Sequence, residues 1–230
     1  MLKLENTVLP SPEQWERIIM GMRNPMNSWA RSDSEVLSND LIDAMGSNLA
    51  IPGFCLGSND SDLMKHLVDG GPVHAKFRRM IAVYVDVTAP LYWWKEFDTY
   101  KVGTVANSCS TMHKIHEKEF TLEDFSCEHL LSCPSEEVFM MTMGALNIAR
   151  NLYLACEDPT AKKNWWWQMI QLLPSSYNQK RTLMLNYEVL ASIYEWRHNH
   201  KLDEWHTFCD WIEELPYAED LILRGIKEAE

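Results

Sequence analysis

The sequence predicts an α+β protein, a helix-rich single domain over residues 1–230 with a small antiparallel sheet. Two periodicities lead to this class. Apolar residues recur three and four positions apart through most of the chain, whereas one segment alternates with a period of two. No internal repeat, low-complexity tract or linker divides the chain, and 230 residues are enough for one large core.

Ser11-Pro12-Glu13-Gln14 is a helix start, because Ser can cap, Pro suits the first turn and Gln14 completes a capping box. That helix runs from about 12 to 22 and ends at Gly21, Asn24 and Pro25, with polar loop over 27–34. A second helix is expected from Glu35 into Met45, carrying Leu37, Leu41 and Met45 on one face. Pro52, Gly53 and Gly57 mark a connection, and a short helix from Asp60 to Val68 is stopped by Gly70-Gly71-Pro72. Ile81, Val83, Val85 and Val87 alternate with Met80, Ala82, Tyr84 and Asp86, the pattern of a strand with a β-branched face. After Thr88-Ala89-Pro90 a helix covers Leu91 to Asp98, and Thr99 to Thr111 reads as an ordered loop. Ser135 caps a long helix over Glu136 to Cys156 with an apolar stripe of Val138, Met141, Ala145, Ile148, Leu152 and Ala155. Helices are expected over Thr160 to Leu172, Arg181 to His198, Asp203 to Glu213 and Tyr217 to Glu228.

The net charge of −12 argues against a nucleic-acid polymer as partner, since neutralising many phosphates takes an excess of Lys and Arg. One mononucleotide phosphate needs only two or three local donors. Six Cys with no apolar leader predict free thiols in the cytoplasm, and no apolar run has the length of a membrane span. Ten Trp imply large packed interfaces or flat faces for a ring-shaped ligand, Trp93, Trp94 and Trp165 to Trp167 among them.

Three segments carry more polar detail than packing requires. Val73-His74-Ala75-Lys76-Phe77-Arg78-Arg79 is either a solvated run before the strand or a set of donors for phosphate or flavin. Between Leu91 and Lys114, aromatic rings and two Lys precede Gly103, Asn107, Ser108, Cys109, Ser110 and Thr111, small residues that let backbone N–H groups approach an anion; as plain structure this is a capped surface turn. On a helix, Asn186, Leu190, Ile193 and Arg197 fall on one line, so the polar residue at each end needs a partner. A lone Arg late in a helix can simply complement the dipole. His113, His116, His198, His200, Cys127 and Cys133 fit no closed zinc spacing, and Cys109 has only His113 nearby in sequence as a base.

These residues resemble the flavin-dependent thymidylate synthase (ThyX) family. Ala89-Pro90, Lys95 and a loop ending in Asn107-Ser108-Cys109-Ser110 are similar to its central segment, and Leu173-Pro174, Asn186 and Arg197 to its C-terminal one. The resemblance spans roughly residues 65 to 205. The family signature reads Arg-His-Arg, two residues, Ser, one, Asn, two, Ser, one, Arg; here Thr99-Tyr100-Lys101, Thr104, Asn107 and Ser110 stand in it with one extra residue, and Met112 replaces the last Arg. Lys101 keeps a charge but loses the planar fork.

What the resemblance implies is methylation of dUMP to dTMP with methylenetetrahydrofolate as one-carbon donor, FAD as hydride donor and NADPH as reductant. It implies a homotetramer with sites at subunit interfaces. Arg197 is then the catalytic residue, beside the ring carbonyls of a pyrimidine mononucleotide. Lys95, Asn107, Ser108, Ser110, Lys180 and Arg181 bind the rest of the substrate, with Lys114 a further cation in reach. His74, Arg78, Tyr100, Lys101, Thr104, Asn186 and Ser192 bind the flavin, and no metal is expected. The altered Arg-His-Arg stretch also admits a repurposed protein that binds or modifies a pyrimidine nucleotide with another donor or without flavin.

Overall fold

The computed structural model describes residues 1–38, 40 and 49–226. The protein is a helix-rich α+β fold with a small antiparallel sheet. Its strands are β1 (Lys3–Val8), β2 (Glu35–Val36), β3 (Phe54–Cys55), β4 (Ala82–Pro90), β5 (Val105–Ser108) and β6 (Asn178–Asn186). One sheet has the order β1-β4-β6-β5, and β2 pairs antiparallel with β3. The helices are α1 (Pro12–Arg23), α2 (Ser58–Asp69), α3 (Leu91–Phe97), α4 (Thr111–Lys114), α5 (Cys133–Ala155), α6 (Pro159–Leu172), α7 (Tyr187–Arg197) and α8 (Asp203–Glu213).

The contacts among described residues fall into two compact units. The first comprises Met1–Lys3, Val87–Thr99 and Asn107–Arg181; the second comprises residues 4–86, 100–106 and 182–226. In the first, Ile115, Phe120, Phe125, Leu146, Ala149 and Met169 form the core between α5 and α6, while Trp93, Trp94 and Phe97 pack ring against ring on α3. In the second, Trp15 lies against Phe54, Tyr187 and Tyr217, and the buried Tyr187 hydroxyl donates to the Pro216 carbonyl at 2.8 Å. Burial pushes the Tyr187 phenol far above its ordinary range, so the buried ring stays neutral and its O–H stays a donor.

Local chemistry explains the elements that the sequence located. Ser11 accepts from the Gln14 N–H while the Gln14 side chain accepts from the Ser11 N–H, so the capping box is formed and α1 begins at Pro12. Val83, Val85 and Val87 are buried and Tyr84 faces out, as the alternation requires. Trp93 and Trp94 are at most 1% exposed, so for these two rings packing is the outcome.

Several expectations are corrected. Residues 181–186 are strand, not helix: Leu183 and Leu185 are fully buried while Thr182 is exposed, a period of two hidden in Leu and Met, which are good helix formers. Asn186 is therefore the N-cap of α7, its side chain accepting from the Val189 N–H at 3.1 Å, rather than a residue on the helix face. Glu35–Val36 pairs as a strand, and residues 39 and 41–48 of the helix expected there lie outside the described residues. The loop before Thr111 contains β5, and β1 was not anticipated. The closing helix stops at Leu223, where Gly225 adopts φ +80°; residues 227 and 228 lie outside the described residues. α5 starts at Cys133 with Ser132 at the cap position, upstream of the expected Ser135. Its apolar stripe is not core: Val138, Met141 and Ile148 are 64%, 74% and 62% exposed, whereas Leu146 and Ala149 are buried.

Candidate functional site

The second unit gathers a cluster around the last residue of α7. Arg197 donates from Nε to the Tyr100 hydroxyl at 2.9 Å, and its guanidinium lies 4.8 Å from the Trp205 ring centre and 5.6 Å from that of Tyr100. The Trp205 face and the hydrogen bond at the hydroxyl edge of Tyr100 hold the planar cation in one orientation. Tyr100 opens the loop that reaches β5, and Trp205 is fully buried on α8.

Further along that loop, Gly103 adopts φ +79° and its carbonyl takes a long, 3.5 Å hydrogen bond from the Asn186 side chain. A Cβ at Gly103 would sit 2.9 Å from Asn186 Nδ2, so both backbone angle and space demand glycine. The Thr104 hydroxyl is buried and has no hydrogen-bond partner among the described residues. A buried hydroxyl without a partner is a donor and acceptor waiting for a ligand or water.

The first unit assembles the cationic and hydroxyl residues. The Cys109 N–H donates to the Lys180 carbonyl at 2.9 Å, and the Gln179 side chain donates to the Cys109 carbonyl at 3.1 Å and to the Thr111 hydroxyl at 2.9 Å. These bonds lay the Asn107 to Thr111 segment along the start of β6. Asn107, Ser108, Ser110, Lys180 and Arg181 are thereby brought together, and Ser110 caps α4 through the His113 N–H. Arg181 lies 4.1 Å over the Trp94 ring centre and donates to Asp98 at 2.6 Å and to Gln179 at 3.0 Å. Lys95 is exposed on α3, whose first N–H groups are capped by the Tyr177 and Ser175 carbonyls just after Leu173-Pro174. Lys114 is exposed and ion-pairs with Glu117.

Of the remaining candidates, Arg78 and Ser192 line one cleft together with Glu188, Glu195 and Arg224, and His74 lines another. Arg78 is 8% exposed and donates to the Leu221 carbonyl at 3.1 Å, which ties down the closing segment; burial lowers the pKa of its guanidinium. Arg79 beside it is paired with Glu188. His74, Lys101 and Ser192 are exposed. Thr99 donates to the Glu96 carbonyl at 2.8 Å and so closes its own helix. Among the described residues no three His, Cys, Asp or Glu side chains gather as metal ligands, all six thiols are free, and no helix is long and apolar enough to cross a membrane.

Sequence reasoning missed Trp205, Asp98 and Gln179. No periodicity relates Trp205 to Arg197, because α7 ends at Arg197 and α8 begins at Asp203, and nothing in the sequence marks an Arg181 contact to Asp98 across 83 residues.

No protein-family model matches the sequence, and neither does any curated protein. Solved structures do. A thymidylate synthase X (ThyX) from Helicobacter pylori with FAD and dUMP superposes with a TM-score of 0.60 at 14% identity, over 99% of each chain. The chain has the ThyX fold. A second structure of the flavin-dependent thymidylate synthase ThyX from that organism, complexed with FAD and dUMP, gives 0.57 at 15% identity over 99% of both chains. A UMP/dUMP methylase, PolB from Streptomyces cacaoi, bound with 5-Br dUMP, gives 0.58 at 13% identity over 100% of this chain and 97% of that one. The fold is thus shared at 13–15% identity, and a shared fold does not by itself carry an activity.

Proposed function

We propose that this ThyX-like chain is an enzyme that methylates the base of a pyrimidine mononucleotide, dUMP to dTMP, with methylenetetrahydrofolate as one-carbon donor, FAD as redox cofactor and NADPH as reductant. We read residues 1–230 as one functional domain, cytoplasmic and acting as a homotetramer. The observation that carries the reading is Arg197 held flat by Trp205 and Tyr100. A pre-oriented guanidinium matches the in-plane carbonyls of a uracil ring and favours the negative charge that develops on them as the reacting carbon becomes electron-rich. Asn107, Ser108 and Ser110, with Lys95, Lys180 and Arg181, supply the phosphate contacts; Arg181 is already oriented by Trp94 and Asp98.

The residues suit a flavin. The unpartnered Thr104 hydroxyl, the Tyr100 phenol and exposed Lys101 lie on one loop, and His74 and Ser192 are exposed donors. When bound and reduced by NADPH, the flavin would supply the hydride that completes the methyl group. Arg78 and Asn186 act in this reading as supports, one anchoring the closing segment and the other capping α7 beside Gly103. Support for a homotetramer comes from the exposed apolar stripe of α5.

One observation favours a second reading, a protein that binds or modifies a pyrimidine nucleotide with another donor or without flavin. Thr99 and Tyr100, which stand where the family places a flavin-binding Arg and His, both make intramolecular contacts, to Glu96 and Arg197. An absorbance scan separates the two: purified protein, or protein incubated with FAD, carries the flavin bands, whereas protein that stays colourless and takes up no FAD supports the second reading. Arg197→Ala is expected to cut kcat by roughly 10²–10³-fold with an unchanged thermal melt. Arg197→Lys does not restore it, because an ammonium has no planar fork. A fully active Arg197→Ala protein removes the catalytic assignment.

A further inference from the structure

We infer that the chain carries a second anion site, in a cleft formed by the end of α1, the turn that follows it and the first residues of α2. Arg23, the last residue of α1, is 3% exposed, and its Nε pairs with Asp60, which is fully buried. Asp60 does not depend on Arg23 alone. Its other oxygen accepts from the Ser32 hydroxyl at 2.9 Å, the Ser34 hydroxyl at 2.7 Å and the Asp33 and Ser34 N–H groups at 3.0 Å each. Burial pushes the Asp60 pKa up, but the hydrogen bonds from Ser34, Arg23, Ser32 and Asp33 outweigh it and hold the carboxyl below the ordinary range.

Arg23 is left with donors to spare. Its Nη1 reaches the Ser28 carbonyl and hydroxyl only at 3.3 Å, and its Nη2 is buried with no hydrogen-bond partner among the described residues. A guanidinium can only donate, so what is missing is an acceptor. Arg23 lies at the floor of a cleft also lined by Asn27, Ser28, Arg31 and Asn59, with Met26 and Leu63 as apolar walls. Among the described residues no carboxylate lines it, in a chain of 33 acidic and 21 basic residues. Asp33, next to it in sequence, is occupied: it accepts from the Asn59 and Asp60 N–H groups at 2.9 and 3.1 Å and from the Ser58 hydroxyl at 3.3 Å.

One water would satisfy one Nη2 hydrogen. Asp60 already balances the charge of Arg23, so the cleft carries the net positive charge of Arg31 together with spare Arg23 donors, two amides and a hydroxyl, a set that suits a charged acceptor, the phosphate or carboxylate of a small molecule. None of the residues lining it belongs to the set assigned to the proposed reaction.

The test is an NMR titration of the full chain, following the arginine side-chain N–H signals, with inorganic phosphate and acetate as probes and chloride as the ionic-strength control. Saturable shifts of the Arg23 signals are expected with phosphate, acetate or both, beyond those given by chloride. Phosphate alone assigns the site to a phosphorylated ligand, acetate alone to a carboxylate, and both to either oxyanion. Arg31→Ala, an exposed position, is expected to weaken the binding by about tenfold while leaving the fold intact. Arg23 signals that move with neither anion, or that saturate identically in Arg31→Ala, overturn the inference.

Discussion

At the scale of single residues, the cluster around Arg197 depends on one backbone conformation. Gly103 sits at φ +79°, with Asn186 Nδ2 where a Cβ would reach. Gly103→Ala is therefore expected to cost about 1–2 kcal/mol in urea denaturation from the left-handed angle alone. Asn186 must also shift to make room while capping α7, so the start of that helix is expected to loosen. An Ala variant as stable as the parent would mean that the loop relaxes to a negative φ without consequence. Arg197 and Gly103 differ in what the sequence reveals. Arg197 is legible as a polar residue on an apolar helix line, whereas the requirement for glycine at 103 comes from a left-handed backbone angle that the folded loop imposes.

At the scale of elements, β6 runs directly into α7 with Asn186 at the joint. The sequence hides that joint because Leu183, Met184 and Leu185 suit a helix intrinsically, and their burial in the sheet overrides propensity. α5 shows the converse. Its stripe has helical spacing, and the helix forms, but Val138, Met141 and Ile148 face outward while its neighbours Leu146 and Ala149 pack against α6. If the exposed stripe is a subunit contact, Met141→Glu with Ile148→Glu should convert the assembly to smaller species in sedimentation velocity with little loss of helical circular dichroism. An unchanged sedimentation coefficient would exclude α5 from the interface.

At the scale of the whole molecule, acid sensitivity follows from the buried pair of Arg23 and Asp60. The Asp60 carboxyl titrates below its unfolded value, so its stabilisation is complete above the ordinary carboxylate pKa of about 3.9 and is lost as the pH falls through the folded value beneath it. Stability measured by denaturant should thus be steady from neutral pH to about 4 and drop below that. Asp60→Asn leaves the Arg23 charge buried without its counterion and is expected to cost about 3–5 kcal/mol at pH 7, with a shallower acid limb. Equal acid limbs in the two proteins would assign the loss to other carboxylates.

The sequence by itself determined the α+β class, the capped helix at Pro12, the β-branched strand, the helix expected from Thr160 and found from Pro159, and the helix from Asp203, because caps and periodicity are local and need no partner to be read. It also singled out Arg197 and the hydroxyl-rich segment from Asn107 to Ser110. Only the tertiary structure decided that residues 181–186 are strand, that Asn107 to Thr111 lies along Gln179 and Lys180, and that Trp205 and Tyr100 orient the Arg197 guanidinium. Each of those rests on atoms brought within a few ångströms by chain segments far apart in sequence, and a one-dimensional pattern carries no signal for a contact whose partners it does not join.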